Sequence, residues 1–281
     1  MKPAASCALL LACLSVIGEE APLDVVPKLV KGQSWKVEQT VEVRAALPKR
    51  AGGPNTERPR VNSPVTLKEA WTDTAIEELG AGTGTVKRAW TEAKTGPEPS
   101  TLVGTELTLT AAEKDRTTVA LRKGKPGDEA VLALGKAPIE AVGLLRAGRA
   151  IQAGETWTVP AAVVASMLRA LAAGFGGAGP VAKGQTAGLQ TFLKGEGEVA
   201  WLCEVKATVK DGAKKGELVI DLAGQRGDGS ASTEIKGSLA FDGARRRPSA
   251  FSLTITRSLR ANDELETDGF TETWVVTKTW K

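Results

Sequence analysis

The sequence predicts a mainly β protein: an antiparallel curved sheet or half-barrel from two related halves, with one or two packed helices. A sandwich is the second choice. Three observations predict it. Apolar and polar residues alternate along most of the 281-residue chain. Asp-Gly and Gly-rich turns separate the alternating runs. One short motif occurs twice.

The chain opens with a leader pattern. Met1 and Lys2 give a positive start, Ala8–Ile17 is almost wholly apolar, and Glu19-Glu20 ends the run after Gly18. A charged start, an apolar stretch of roughly 7–15 residues and a small-residue exit make a secretory signal peptide. The run is shorter than the ~20 residues a spanning helix needs, and no later segment reaches that length, so no transmembrane span is expected. Val16 and Gly18 suit cleavage after Gly18. The alternative is a lipid anchor: Leu10-Leu11-Ala12-Cys13 has the form of a lipobox, with Cys13 as the acylated thiol. The division expected is a signal peptide over 1–18, an N-terminal β half over 19–135, and a C-terminal helix-plus-meander half over 136–281.

In the first half, Ser34–Ala46 reads as one strand. Pro48–Pro64 reads as a surface loop. Val65–Leu79 and Thr83–Ala93 form a hairpin about Gly80–Gly84, and Thr105–Thr110 with Thr117–Arg122 form another. Two helices are expected, Pro138–Arg146 and Pro160–Ala173. Each opens with Pro and closes at or near Gly, the polarity that helix ends prefer. The second is apolar over most of its circumference, so it is expected to be buried or to lie over an apolar cavity. Its candidate lid residues are Val163, Val164, Met167, Leu168 and Leu171.

In the second half, Gly174–Gly188 reads as a loop. Glu198–Lys210 alternates most clearly: Val199, Trp201, Cys203, Val205, Ala207 and Val209 share one side. Successive strand residues face opposite sides, so this segment has one apolar face and one wet one. Gly216–Gly224, Thr233–Asp242, Ser249–Arg260 and Phe270–Trp280 follow, joined by Asp-Gly turns. One-sided strands of this kind suit an antiparallel sheet.

Gly32-Gln33-Ser34-Trp35-Lys36-Val37 matches Gly154-Glu155-Thr156-Trp157-Thr158-Val159 as G-[QE]-[ST]-W-x-V. The reading is two related halves, each opening with a Gly turn and a core Trp. With Gly237–Asp242, these stretches resemble a class of uncharacterised exported bacterial β proteins, in which a K-G-x-x-W/Y entry strand precedes β meanders. Here the resemblance rests on Val30–Val43 and Ile151–Val159, and it implies no activity. The layout is also loosely similar to periplasmic lipoprotein carriers, whose curved sheet and helical lid hold acyl chains; that similarity is one of fold alone.

Composition excludes several chemistries. The chain contains no His, so Ser-His-Asp and Cys-His catalysis and His-ligated metals are absent from it. The net charge is only +4, with basic and acidic residues interspersed and aromatics at 4%, which argues against nucleic acid as a partner. Cys203 alone remains beyond the leader, and its place beside Trp201 and Val205 reads as a buried, inert thiol. Gly174–Gly179 matches G-x-G-x-x-G but follows a helix and precedes a loop, so it reads as a linker. Residues 264–269 have the acidic rhythm of a calcium loop but carry Val275 where the final Glu belongs, so they read as a wet turn. Arg245–Arg247 reads as a solvated turn. Glu69/Asp73 and Glu196/Glu198 have a spacing that suits paired carboxylates, but an ordinary wet strand face has it too. Trp35, Trp157 and Trp201 read as core, while Trp71, Trp90, Trp274 and Trp280 are open.

No catalytic residue, metal site or cofactor is therefore expected. The expectation is a non-enzymatic exported or envelope protein, in the periplasm or outside the cell, or anchored at the outer membrane through Cys13. A lipid or another envelope component is its expected partner. The alternatives are a structural or protein-interaction domain with a filled core and a carbohydrate binder using exposed Trp.

Overall fold

A computed structural model describes residues 26–46, 64–80, 83–112, 116–147, 149, 151–172, 201–212, 216–260 and 269–281. The leader with Cys13, the loop over 48–63, the Gly174–Gly179 motif, Glu196/Glu198 and residues 264–268 lie outside them.

The strands are β1 Ser34–Ala46, β2 Val65–Ala75, β3 Thr85–Thr95, β4 Glu98–Pro99, β5 Glu106–Ala112, β6 Arg116–Lys123, β7 Thr156–Val159, β8 Val205–Asp211, β9 Glu217–Gly227, β10 Ala231–Asp242, β11 Arg247–Leu259 and β12 Phe270–Trp280. They form one antiparallel sheet in the order β6-β5-β3-β2-β1-β12-β11-β10-β9-β8-β7, with β4 paired to β3 alone. The mainly β antiparallel expectation is met. The sheet is open and uncurled, with β6 and β7 at its edges; among the described residues it neither closes into a barrel nor packs on a second sheet. The chain lays its first strands from the middle outward to one edge, then starts again at the other edge and works inward. The last strand, β12, joins the two runs by pairing with both β1 and β11.

Alternation sets the inward face. Val37, Val41 and Val43 of β1, Val205, Ala207 and Val209 of β8, and Phe251, Leu253 and Ile255 of β11 are all buried, while their sequence neighbours are less so. These residues belong to a single continuous apolar core. A β-bulge interrupts the pattern between β2 and β3: Ala70 pairs with Glu92 and Trp71 pairs with Trp90, so Thr91 is the extra residue. One added residue reverses which side chains face inward. Hence Ala93 and Thr95 point into the core on one side of the bulge, and Val86, Arg88 and Trp90 on the other.

The repeated motif makes the same turn twice. Gly32 and Gly154 both have φ +83°, the left-handed region that Gly enters without steric cost. The Gly32 N–H bonds the Ala75 carbonyl as the Gly154 N–H bonds that of Val209, each at 2.9 Å. The Ser34 and Thr74 hydroxyls meet at 2.8 Å, and those of Thr156 and Thr208 at 2.9 Å.

Helical segments differ in part from expectation. α1, Asp128–Gly135, lies against β6 and was not expected; its N-cap Gly127 offers no side-chain cap. The helix expected over Pro138–Arg146 is a five-residue 3-10 turn, Ala141–Leu145, capped by the Glu140 carboxylate on the Val142 N–H. α2, Ala161–Leu171, is as expected, and it packs against the 3-10 turn. The strand expected over Glu198–Lys210 begins at Val205 among the described residues; Trp201–Glu204 form an irregular lead-in.

Candidate functional site

On the covered face the strand register assembles a group of charged side chains in three rows. Residues directly opposite on antiparallel strands have neighbouring Cβ atoms, so pairing alone brings them together. One row runs Lys278, Gln39, Glu69 and Ala93 across β12, β1, β2 and β3. The next runs Trp280, Val37, Trp71 and Trp90. The third runs Trp35, Asp73, Arg88 and Leu107, ending on β5. The bulge at Thr91 sets Arg88 opposite Asp73.

Arg88 binds Asp73 through both arms of its guanidinium: Nε donates to Oδ1 and Nη2 to Oδ2, each at 2.7 Å. The Trp71 indole N–H also donates to Asp73 Oδ2, at 3.1 Å. The guanidinium carbon lies 4.7 Å from the Trp71 ring centre and 5.7 Å from that of Trp90, within cation–π range. Burial alone would lower the Arg88 pKa, but the Asp73 charge and hydrogen bonds, with the charges of Glu140 and Glu69, together outweigh it and raise the value.

The covering segment fastens to this cluster through polar contacts. Arg88 Nη2 donates to the Ile139 carbonyl at 3.0 Å. Glu140 accepts from Lys278 Nζ at 2.9 Å and from the Trp280 indole at 3.0 Å. Gln39 Nε2 donates to the Leu171 carbonyl at the end of α2, at 2.7 Å, and to Glu69 Oε2 at 3.2 Å. Lys278 lies over Trp280 at 4.8 Å and Trp71 at 5.3 Å.

The cluster holds three carboxyls and two cations. Asp73 pairs with Arg88, and Glu140 with Lys278. Glu69 is the carboxyl left over. Burial raises its pKa from 4.5 to about 7, against the lowering pull of Arg88, Lys278 and the Gln39 hydrogen bond. Protonating Glu69 makes the five-group cluster electrically neutral.

Glu69 and Asp73 share a face, as their spacing suggests, but that face is the buried one. Gln39, Arg88, Glu140 and Lys278 were not singled out from the sequence. A signal for three of them is present: Gln39 sits between Val37 and Val41, Arg88 between Val86 and Trp90, and Lys278 between Val276 and Trp280. Each is a polar residue interrupting an inward-facing apolar run.

The lid residues are packed. Val164, Met167, Leu168 and Leu171 are each exposed by 1% or less, and Val163 is half-buried. A side chain lining a void large enough for solvent would expose surface into it. Two other concavities lie away from α2. One, about 60 Å³, lies beside the 3-10 turn and is lined mainly by apolar residues, among them Pro27, Leu79 and Leu144, with Arg116 and Arg146 also on its wall. The other, about 230 Å³, lies between Trp201 and the β9–β10 turn.

None of the seven Trp is exposed: Trp35, Trp71, Trp90, Trp274 and Trp280 are buried, and Trp157 and Trp201 are half-buried. Among the described residues, no Trp presents a fully exposed ring for stacking on sugars. Cys203 is a buried free thiol whose pKa is raised by burial, consistent with an inert role. Among the described residues, no three Cys, Asp or Glu converge to hold a metal ion. No helix there is long and apolar enough to cross a membrane.

No protein-family model matches this chain, and neither does any curated protein. Among solved structures it is similar to one of lipovitellin ("Lipid-protein interactions in lipovitellin"), with a TM-score of 0.36 and 9% identity. That match covers 89% of this chain and 25% of the other, so the chain spans about a quarter of the lipovitellin chain's length.

Proposed function

We propose that the protein is a non-enzymatic, exported binding module that takes an apolar or lipid ligand against the covered face of its sheet, with α2 as the lid. The observation behind this reading is the mismatch between α2 and what lies under its end. The helix turns apolar side chains inward, yet Gln39, Glu69 and Lys278 stand on the sheet there. A permanent core gains more from apolar packing than from buried charge, and replacing buried ion pairs by apolar residues is often neutral or stabilising. A cover that lifts is a different case, because water solvates the charged groups once it opens. Export follows from the leader reading, with Cys13 as the alternative anchor. The absence of His from the chain and the burial of Glu69 and Asp73 beneath the cover support a non-catalytic role.

The rival is a structural or protein-interaction domain, and the tight packing of Val164, Met167, Leu168 and Leu171 favours it. Native mass spectrometry of protein purified from a membrane extract separates the two. Copurified lipid, together with saturable fluorescence of N-phenyl-1-naphthylamine that weakens in Leu168→Asp, supports the carrier. Repeated lipid-free preparations with no dye binding leave the filled-core domain.

A further inference from the structure

Gln39 occupies an unusual position. Its single amide nitrogen bridges the leftover carboxyl of the cluster and the last turn of the covering helix, at 3.2 Å to Glu69 Oε2 and 2.7 Å to the Leu171 carbonyl. All three partners are buried. The bridge joins elements distant in sequence: β1, β2 and the end of α2.

Several elements bring charged groups toward Glu69. β2 itself contributes Asp73, β3 contributes Arg88, β12 contributes Lys278, and the segment before the 3-10 turn contributes Glu140. The 3-10 turn has no ionisable side chain, and α2 has one, Arg169, in its last turn. Among the described residues, Arg88 and Lys278 each already have a carboxylate of their own. An ionised Glu69 therefore leaves one uncompensated negative charge inside the sheet–helix interface. Burying such a charge is costly, and it is relieved by protonation or by admitting water. Water reaches Glu69 most directly if the cover that Gln39 fastens moves away.

We propose that Glu69 is a proton-controlled latch for α2: protonated, it sits in a neutral cluster with the helix end docked through Gln39; ionised, it loosens that end. Burial moves the Glu69 carboxyl to about 7, so the change falls near neutral pH. This inference rests on reading α2 as a lid. Its test follows the helix itself without ligand, so a failure to bind lipid and a failure of the latch are separate results.

The test is hydrogen exchange of the α2 backbone amides in ligand-free protein from pH 5 to 8, with wild type compared to Glu69→Gln at each pH. The comparison cancels the intrinsic pH dependence of exchange. A carboxyl held near 7 when closed and returning toward 4.5 when hydrated makes opening more favourable by tenfold or more over this range. Wild-type protection at Leu168–Ala172 is expected to fall by at least that factor relative to the variant. Parallel profiles overturn the proposal. If Glu69→Gln does not fold, carboxyl NMR of the wild type is read beside its own α2 exchange, corrected for the intrinsic rate. A Glu69 midpoint near 7 with protection of Leu168–Ala172 falling across the same interval sustains the latch, and a midpoint near 4.5 or unchanged protection overturns it. Gln39→Met tests the bridge. It is expected to lower the protection of Leu168–Ala172 at every pH while leaving the Glu69 midpoint high; unchanged protection at pH 5 overturns the role of Gln39.

Discussion

The covered face of the sheet has two regions on one backbone plan. Across β12, β1, β2 and β3 it buries Lys278, Gln39, Glu69, Asp73 and Arg88 among Trp rings. Across β8 to β11 the same face buries Val205, Val209, Ile220, Leu222, Ile235, Leu239, Phe241, Leu253 and Ile255. The first region needs each partner in a fixed place, because a buried charge without its counterpart is a large penalty. The second needs only volume and shape, because apolar attraction has no direction. So the charged region should be intolerant of single deletions, tolerant of paired ones and sensitive to pH. The apolar region should respond to lost volume at any pH.

The largest effect is expected at the ion pair. Arg88→Met leaves Asp73 buried without its cation and should cost about 3–5 kcal/mol in denaturant unfolding. The double variant Arg88→Met/Asp73→Leu should recover most of that loss. If the double change is as damaging as the sum of the singles, the contrast between the regions fails. In the apolar region, Leu239→Ala should cost about 2–5 kcal/mol, with Ile235→Val costing only about 0.5–1.5 kcal/mol. Neither cost should vary between pH 5 and 8, as thermal unfolding at several pH values would show.

Glu69 sharpens the contrast through pH. Its folded pKa lies above its ordinary value, at about 7 against 4.5. As pH rises between these values the unfolded chain gives up the proton first, so stability falls across the interval and levels off above it. The total decline is on the order of 3 kcal/mol. Glu69→Gln should remove this decline, measured as the midpoint of urea unfolding at pH 5 and pH 8. A midpoint equally pH-dependent in both proteins would contradict the assignment. The smallest effect concerns the two entry turns. Gly32→Ala and Gly154→Ala each force a side chain into the left-handed region and should each cost about 1–2 kcal/mol. Neither added methyl meets another atom within 4 Å, so unequal losses would mean that the turns are not equivalent.

Much of the strand layout was legible because alternation is a local property. β1 occupies Ser34–Ala46 as read, and β10, β11 and β12 fall within a residue or two of the expected segments. α1 was missed because its eight residues carry no side-chain cap and little periodic contrast. The 3-10 turn was read as a helix because Pro138 and Gly148 bracket it correctly, though Gly143 in its middle weakens regular helix. Trp71, Trp90, Trp274 and Trp280 were open in the sequence and proved buried, while Trp157, read as core, is half-buried. Trp35 lies on β1, flanked by strands on both sides, but Trp157 lies on the edge strand β7, so one motif has two levels of burial.

By itself the sequence determined the class of the fold, the two Gly turns, the apolar helix and the lack of imidazole chemistry. These depend on residue type and on neighbours a few positions apart. Tertiary structure alone decided that Lys278 meets Glu140, that Arg88 meets Asp73 and that Gln39 reaches Leu171. Those contacts depend on register between distant strands and on one extra residue at Thr91, and no local spacing encodes which partner a buried charge will find.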